Sequence, residues 1–196
     1  MIKIGIIGGI GSCKSFVAKK FGYPVFNADK EVSKIYKKNK DCFKKLKKKL
    51  PKFINSFPIK KKELSKAILN NIKNLKEIEK IVHPKVQKNM KKFIKVNKSK
   101  KILVFDVPLL MESKIYKNKY VLIFVQAKKK DILKNLKKSK NFNQKILNKL
   151  KKSQLSLEIK KKRSDYIIKN DFKSLPLKKH VKVLLNKILK NERSST

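Results

Sequence analysis

Apolar positions along this chain follow two regimes. A short apolar run at Ile2 to Ile7 predicts a strand, and the continuous apolar runs Ile102-Leu103-Val104-Phe105 and Tyr120 to Val125 predict parallel strands buried on both faces. Tyr23-Pro24-Val25-Phe26 and Asp165-Tyr166-Ile167-Ile168 predict two shorter strands. Elsewhere the spacing is three and four. Lys14 to Phe21 reads as a short helix ended by Gly22, and Val32, Ile35 and Tyr36, then Phe43, Leu46 and Leu50, then Leu64, Ile68, Ile72, Leu75 and Ile78 open a long helical region. Pro51, Pro58 and Pro84 are expected to cut that region into several helices, the last carrying Val86, Met90, Phe93 and Ile94. A second helical stretch between Lys128 and Lys162 is expected to bury Ile132, Leu133, Leu136, Ile146, Leu147 and Leu150. Leu177, Val181, Leu184, Leu185 and Ile188 form a closing amphipathic helix, and Asn191 to Thr196 a frayed tail. The order predicts an α/β fold: a three-layer core with a parallel sheet, interrupted by a helical lobe between the second and third strands.

Composition narrows this picture. A chain of 196 residues, 40% of them apolar, fills one α/β core and an inserted lobe. No apolar run reaches the roughly 18 residues of a membrane span, and the N-terminal run breaks at Gly8-Gly9 without a signal-peptide cleavage pattern. The expectation is no membrane partner. A net charge of +43 points toward polyanions, yet only two of the 56 basic residues are arginine, Arg163 and Arg193. Phosphate and base recognition draws on arginine's planar fork, and aromatic residues are not interleaved with the basic ones as in single-strand binders. The charge therefore reads as a chain-wide lysine bias with nonspecific polyanion adhesion as a side effect, and no specific nucleic acid is expected. Cys13 and Cys42 make no disulfide framework and no metal-ligand spacing, which suits a reducing, cytoplasmic setting.

The first strand runs into Gly8-Gly9-Ile10-Gly11-Ser12-Cys13-Lys14-Ser15, the composition of a P-loop. Gly8, Gly9 and Gly11 let successive backbone N–H groups of the turn through Ser12, Cys13 and Phe16 face phosphate oxygens. Lys14 is placed to reach the β- and γ-phosphates of ATP, and Ser15 to ligate Mg2+. The usual pattern has glycine where this chain has Cys13, so strain of order 1 to 3 kcal/mol is expected there. At a helix N-terminus beside Lys14, the Cys13 thiol is also expected to have a lowered pKa.

Further blocks follow: Asn27-Ala28-Asp29, His83-Pro84, Pro108-Leu109-Leu110-Met111-Glu112, Gln154, and Asp165 to Ile168 with Asn170. With the P-loop, and in this order over Ile2 to Asn170, they resemble the dephospho-CoA kinase family, in which the blocks read Asp-Ala-Asp, His-Pro and Pro-Leu-Leu-Phe-Glu. The resemblance implies a P-loop NTPase core (1–30, 100–126 and 163–196), a helical coenzyme-binding lobe (31–99) and a lid (127–162). It implies ATP-dependent phosphorylation of the ribose 3′-hydroxyl of dephospho-CoA, the last step of coenzyme A synthesis. It further implies that Asp29 is the general base, that His83 and Glu112 belong to the substrate site, and that Lys134 and Lys138 stand at lid positions usually held by arginine. Alternatives remain for single residues. Asp29 also fits a helix cap before Glu31; Asp106, at a strand end, fits either a Mg2+ ligand with Ser15 or a bond to its own turn; His83 fits a helix end; Glu112 fits a loop salt bridge. Cys13, Asn27 for the first Asp, the lid lysines and Asp171 where glycine follows Asn170 depart from the family. They leave open a degenerate nucleotide-binding protein, and the P-loop alone leaves open a related nucleoside or nucleotide kinase.

Overall fold

The computed structural model describes residues 1–112, 120–137 and 143–193. The chain forms two compact units, residues 1–26 with 99–142 and 154–196, and residues 27–98 with 143–153. In chain order the first elements are β1 (Ile2–Gly8), α1 (Lys14–Lys20), β2 (Val25–Asn27) and α2 (Ala28–Lys38). Three more helices follow, α3 (Lys40–Lys49), α4 (Lys61–Asn70) and α5 (Lys73–Val96), and then the strands β3 (Ile102–Asp106) and β4 (Val121–Gln126). The remainder is α6 (Lys129–Lys137), α7 (Gln144–Lys152), α8 (Leu157–Lys162), β5 (Tyr166–Lys169) and α9 (Ser174–Arg193).

The first unit is built on a five-stranded sheet ordered β2-β3-β1-β4-β5. β1 pairs in parallel with β3, Ile6 facing Asp106, and with β4, Gly8 facing Val125. β4 pairs in parallel with β5, Gln126 facing Lys169. Continuous apolar runs are explained by burial on both faces: Ile4, Ile6, Ile102, Val104, Ile123 and Val125 meet Val17 of α1, Phe21 just beyond it, and Leu177, Val181 and Ile188 of α9. On the opposite face Ile7, Leu122 and Phe124 meet Leu110, Met111 and Leu155. Register therefore brings Gly8, Asp106 and Gln126 out at the same C-terminal edge, where open α/β sheets bind ligands.

In the second unit, Ile35, Cys42, Leu46, Leu50, Ile54, Leu64, Ala67, Ile78 and Val82 share one apolar core. Three boundaries differ from the sequence expectation. Pro84 lies inside α5 and does not end a helix. A mid-helix proline costs about 3 kcal/mol, but Leu75, Ile78, Val82 and Met90 are buried along this helix on both sides of it, at roughly 1.5 to 3 kcal/mol each. Burial wins. The break instead falls at Asn71-Ile72: the Asn71 side chain accepts the Lys73 N–H at 2.9 Å, and Asn74 Nδ2 donates to the Ala67 carbonyl at 2.9 Å. α7, grouped with the lid by sequence, belongs to the second unit, with Leu147 buried and Lys149 Nζ donating to the Ile68 and Leu69 carbonyls at 3.0 and 2.9 Å. Lysine at those carbonyls satisfies orphan acceptors at the end of α4. Finally, the expected tail is helical through Arg193, with Asn191 Nδ2 donating to the Tyr166 hydroxyl at 2.8 Å.

Candidate active site

Between β1 and α1 the chain turns through Gly8 at φ +147°, Gly11 at φ +84° and Cys13 at φ +58°. A Cβ on Gly11 would stand 2.9 Å from Ile132 Cγ2 and Leu136 Cγ of α6, so that position needs glycine for space as well as for its backbone angle. Cys13 occupies the left-handed region (φ 58°, ψ 43°) and supplies no side-chain cap to α1. The strain expected from sequence is present, because a Cβ at that φ crowds the following carbonyl. Its thiol differs from expectation. Burial pushes the Cys13 pKa up, and the neighbouring Lys14 charge only partly counters this. Cys42, inside the second unit's core, is likewise raised, first by burial.

The loop is bonded to itself and to the sheet. Ser12 Oγ donates to the Gly9 carbonyl at 2.9 Å, and Lys14 Nζ reaches the Gly9 and Gly8 carbonyls at 2.9 and 3.3 Å. Ser15 Oγ, at the start of α1, donates to Asp106 Oδ2. That contact joins positions 91 residues apart and brings the Ser15 hydroxyl to the Asp106 carboxylate at the sheet's C-terminal edge. Two hard oxygen donors beside a phosphate-type loop fit Mg2+, which needs few protein ligands when phosphate oxygens and water supply the rest. No group of three or more His, Cys, Asp or Glu is found among the described residues that would instead form an all-protein metal cage. Phe16 turns its ring toward the first unit's core, and its N–H donates to the Cys13 carbonyl at 3.0 Å.

Asn27 rather than Asp29 caps α2, accepting the Lys30 N–H at 2.8 Å. The helix begins at Ala28, so Asp29 lies exposed within its first turn and is not the N-cap. His83 lies half-buried in the middle of α5, not at a helix end. Both belong to the second unit; the P-loop, Asp106 and Glu112 belong to the first. Lys134 is exposed on α6, and Lys138 lies outside the described residues.

Glu112 forms a salt bridge. Its Oε1 lies 2.9 Å from Lys160 Nζ and accepts the Leu155 N–H at 3.0 Å, while Lys160 Nζ also donates to Gln154 Oε1 at 3.0 Å. The Lys160 side chain is only 1% exposed. Sequence reasoning missed Lys160 because it opens a run of three lysines, and only packing distinguishes the buried one. Asn170 closes the last of the sequence blocks. It is buried, its Nδ2 donating to the Ser12 carbonyl at 3.0 Å and its Oδ1 accepting the Phe172 N–H at 3.0 Å.

The model of the dephospho-CoA kinase family matches residues 2–175 of this chain. The dephospho-CoA kinase of Wolbachia pipientis wMel is 37% identical over 170 residues, 84% of this chain and 87% of that protein. That of Bartonella henselae is 31% identical over 193 residues, 96% of this chain and 98% of that protein. Among solved structures, the dephospho-CoA kinase from Campylobacter jejuni superposes with a TM-score of 0.65 at 24% identity, covering 97% of this chain and 98% of that one. A Thermus thermophilus protein gives 0.75 at 24% identity, over 95% and 97%. At that identity these likenesses speak to the fold.

Proposed function

The chain belongs to the dephospho-CoA kinase family, and from that membership we propose that it transfers the γ-phosphoryl group of ATP to the ribose 3′-hydroxyl of dephospho-CoA, giving coenzyme A and ADP. The observation that carries the reading is the grouping of the glycine turn, Lys14, Ser15 and Asp106 at one end of the sheet. Backbone N–H groups of the loop and the Lys14 ammonium hold the phosphates, so that Lys14 exchanges its Gly8 and Gly9 carbonyl partners for phosphate oxygens. Ser15 and Asp106 are the residues that would hold Mg2+, which when bound neutralises charge on the β- and γ-phosphates.

Asp29 accepts the proton of the 3′-hydroxyl as that oxygen bonds to the γ-phosphorus and the bond to the β,γ-bridging oxygen breaks. ADP departs with the electron pair. Most of the acceleration comes from positioning and charge stabilisation, so the base needs only hydrogen-bond reach. Support for Asp29 is its exposed place in the first turn of α2 and its match to the family block. His83 and Glu112 serve the coenzyme site, Glu112 through its hold on Lys160, and Lys134 and Lys138 attend the phosphates as lid cations without arginine's bidentate geometry. A cytoplasmic setting is part of this proposal, and two free thiols support it.

ADP release from ATP and Mg2+, with and without dephospho-CoA, tests this. Acceptor-dependent release is expected, reduced by about 100-fold or more in Lys14→Ala. Asp29→Asn should lower kcat by about 10²- to 10⁴-fold while leaving ATP affinity within about threefold. Release that ignores the acceptor removes the assigned reaction, and normal turnover in Asp29→Asn removes the base.

A further inference from the structure

Among the described residues only two non-glycine residues have a left-handed backbone, Cys13 at φ +58° and Phe172 at φ +66°. They lie far apart in sequence, in the P-loop and just beyond β5. One side chain reaches both. Asn170 Nδ2 donates to the Ser12 carbonyl, which belongs to the peptide preceding Cys13, and Asn170 Oδ1 accepts the N–H of the peptide preceding Phe172, each at 3.0 Å. Asn170 is 3% exposed, and its own N–H donates to the Gln126 carbonyl at 2.8 Å, so the amide is anchored on β4.

A peptide plane can turn over between two fixed Cα atoms, changing ψ of the first residue and φ of the second in opposite senses. Turning over the Ser12–Cys13 peptide would carry φ of Cys13 from left-handed to negative values, relieving its strain. It would also exchange the directions of the Ser12 carbonyl and the Cys13 N–H, which point oppositely in a trans peptide. A glycine at position 13 would have no such incentive. The turned-over loop would present a carbonyl where phosphate needs a donor.

We propose that Asn170 is a positioning residue for ATP: by holding the Ser12 carbonyl it keeps the Cys13 N–H turned to the phosphates, and it offsets the absence of glycine at position 13. The proposal rests on the P-loop reading above. Both ends of the carboxamide are used, which explains asparagine: aspartate keeps the acceptor for Phe172 but has no donor for Ser12. The role is therefore coupled to the residue at 13. Loss of Asn170 matters most when that residue has a Cβ.

The test is calorimetric titration of MgATP, without acceptor, into the unaltered chain, Asn170→Asp and Asn170→Ala, each repeated with Cys13→Gly. Thermal melts show which variants fold, and Asn170→Ala serves if the buried carboxylate of Asn170→Asp prevents folding. With Cys13 present, losing Asn170 should weaken ATP about tenfold, the scale of one left-handed residue's strain. With glycine at 13 the same change should cost threefold or less. A non-additive result of this kind is one that a purely structural anchor would not give. Equal losses in both backgrounds, or unchanged ATP affinity with only a lower melting temperature, overturn the role of Asn170. An unaltered chain that binds no ATP overturns the nucleotide reading itself, and this proposal with it.

Discussion

Cys13 departs from the P-loop pattern, and the left-handed turn makes the consequence measurable. An L-residue there costs about 1 to 2 kcal/mol, while glycine returns about 0.4 to 1 kcal/mol of that through its more flexible unfolded chain. Cys13→Gly should therefore stabilise the protein by about 0.5 to 1 kcal/mol in urea denaturation; a destabilised variant would mean the side chain contributes packing that outweighs the strain. The thiol follows a different rule from the one expected at a helix start beside a lysine, because burial outweighs the Lys14 charge. Alkylation of Cys13 should be slow at neutral pH and accelerate only above the ordinary thiol value of 9.0, and bound ATP should protect. Fast labelling at pH 7 would restore the thiolate. Cys42 and Tyr36 are raised by burial as well. Groups whose folded pKa is raised contribute stability that is complete below the unfolded values and lost as pH rises through the folded ones. Stability measured by melting should thus decline above about pH 9, with no matching loss from these groups on the acid side. Sequence revealed that position 13 was wrong for a P-loop, since its glycine is a conformational requirement. It did not reveal Asn170's bonds, which depend on bringing the end of β5 beside a loop 158 residues earlier.

The strands β3 and β4 were the most legible elements, because burial on both faces leaves an uninterrupted apolar run that survives any lysine bias on the surface. Helix limits were less so. Pro84 is a strong local stop signal, but burial along α5 outweighs it, and the actual break at Asn71 carries no proline. The Glu112, Gln154 and Lys160 group shows the same limit: three residues separated in sequence tie the segment after β3 to α8. Removing the carboxylate charge leaves the Lys160 ammonium buried without its anion, a defect worth about 3 kcal/mol or more. Lys160→Met instead leaves a carboxylate whose Oε1 still accepts the Leu155 N–H, on a side chain 16% exposed against 1% for Lys160, with Oε2 buried and without a hydrogen-bond partner among the described residues. Glu112→Gln should accordingly lower the urea midpoint more than Lys160→Met does. The reverse order would show that the carboxylate, not the ammonium, carries the larger desolvation cost.

At the scale of the whole molecule, 56 basic residues against 13 acidic ones leave a net charge of +43, far more than a phosphate loop uses. The exposed lysines of α3, α7 and α8 each add a field that attracts any polyanion, whereas the proposed ATP site uses Lys14, the loop amides and the Ser15–Asp106 pair. These two modes differ in salt dependence. Binding to nucleic acid releases one condensed counterion for nearly every phosphate neutralised, so a footprint of 6 to 10 phosphates loses about 10³- to 10⁵-fold in affinity between 50 and 200 mM salt. A nucleotide with a few phosphate charges, gripped by directed hydrogen bonds, lacks that steep term. Titrating a DNA duplex and MgATP in parallel across this salt range should show DNA affinity falling about a thousandfold or more, independent of sequence, while ATP affinity falls less than about tenfold. Sequence-selective DNA binding that persists at 150 mM salt would show that the lysine excess serves recognition, and that the near absence of arginine misled the reading of this charge.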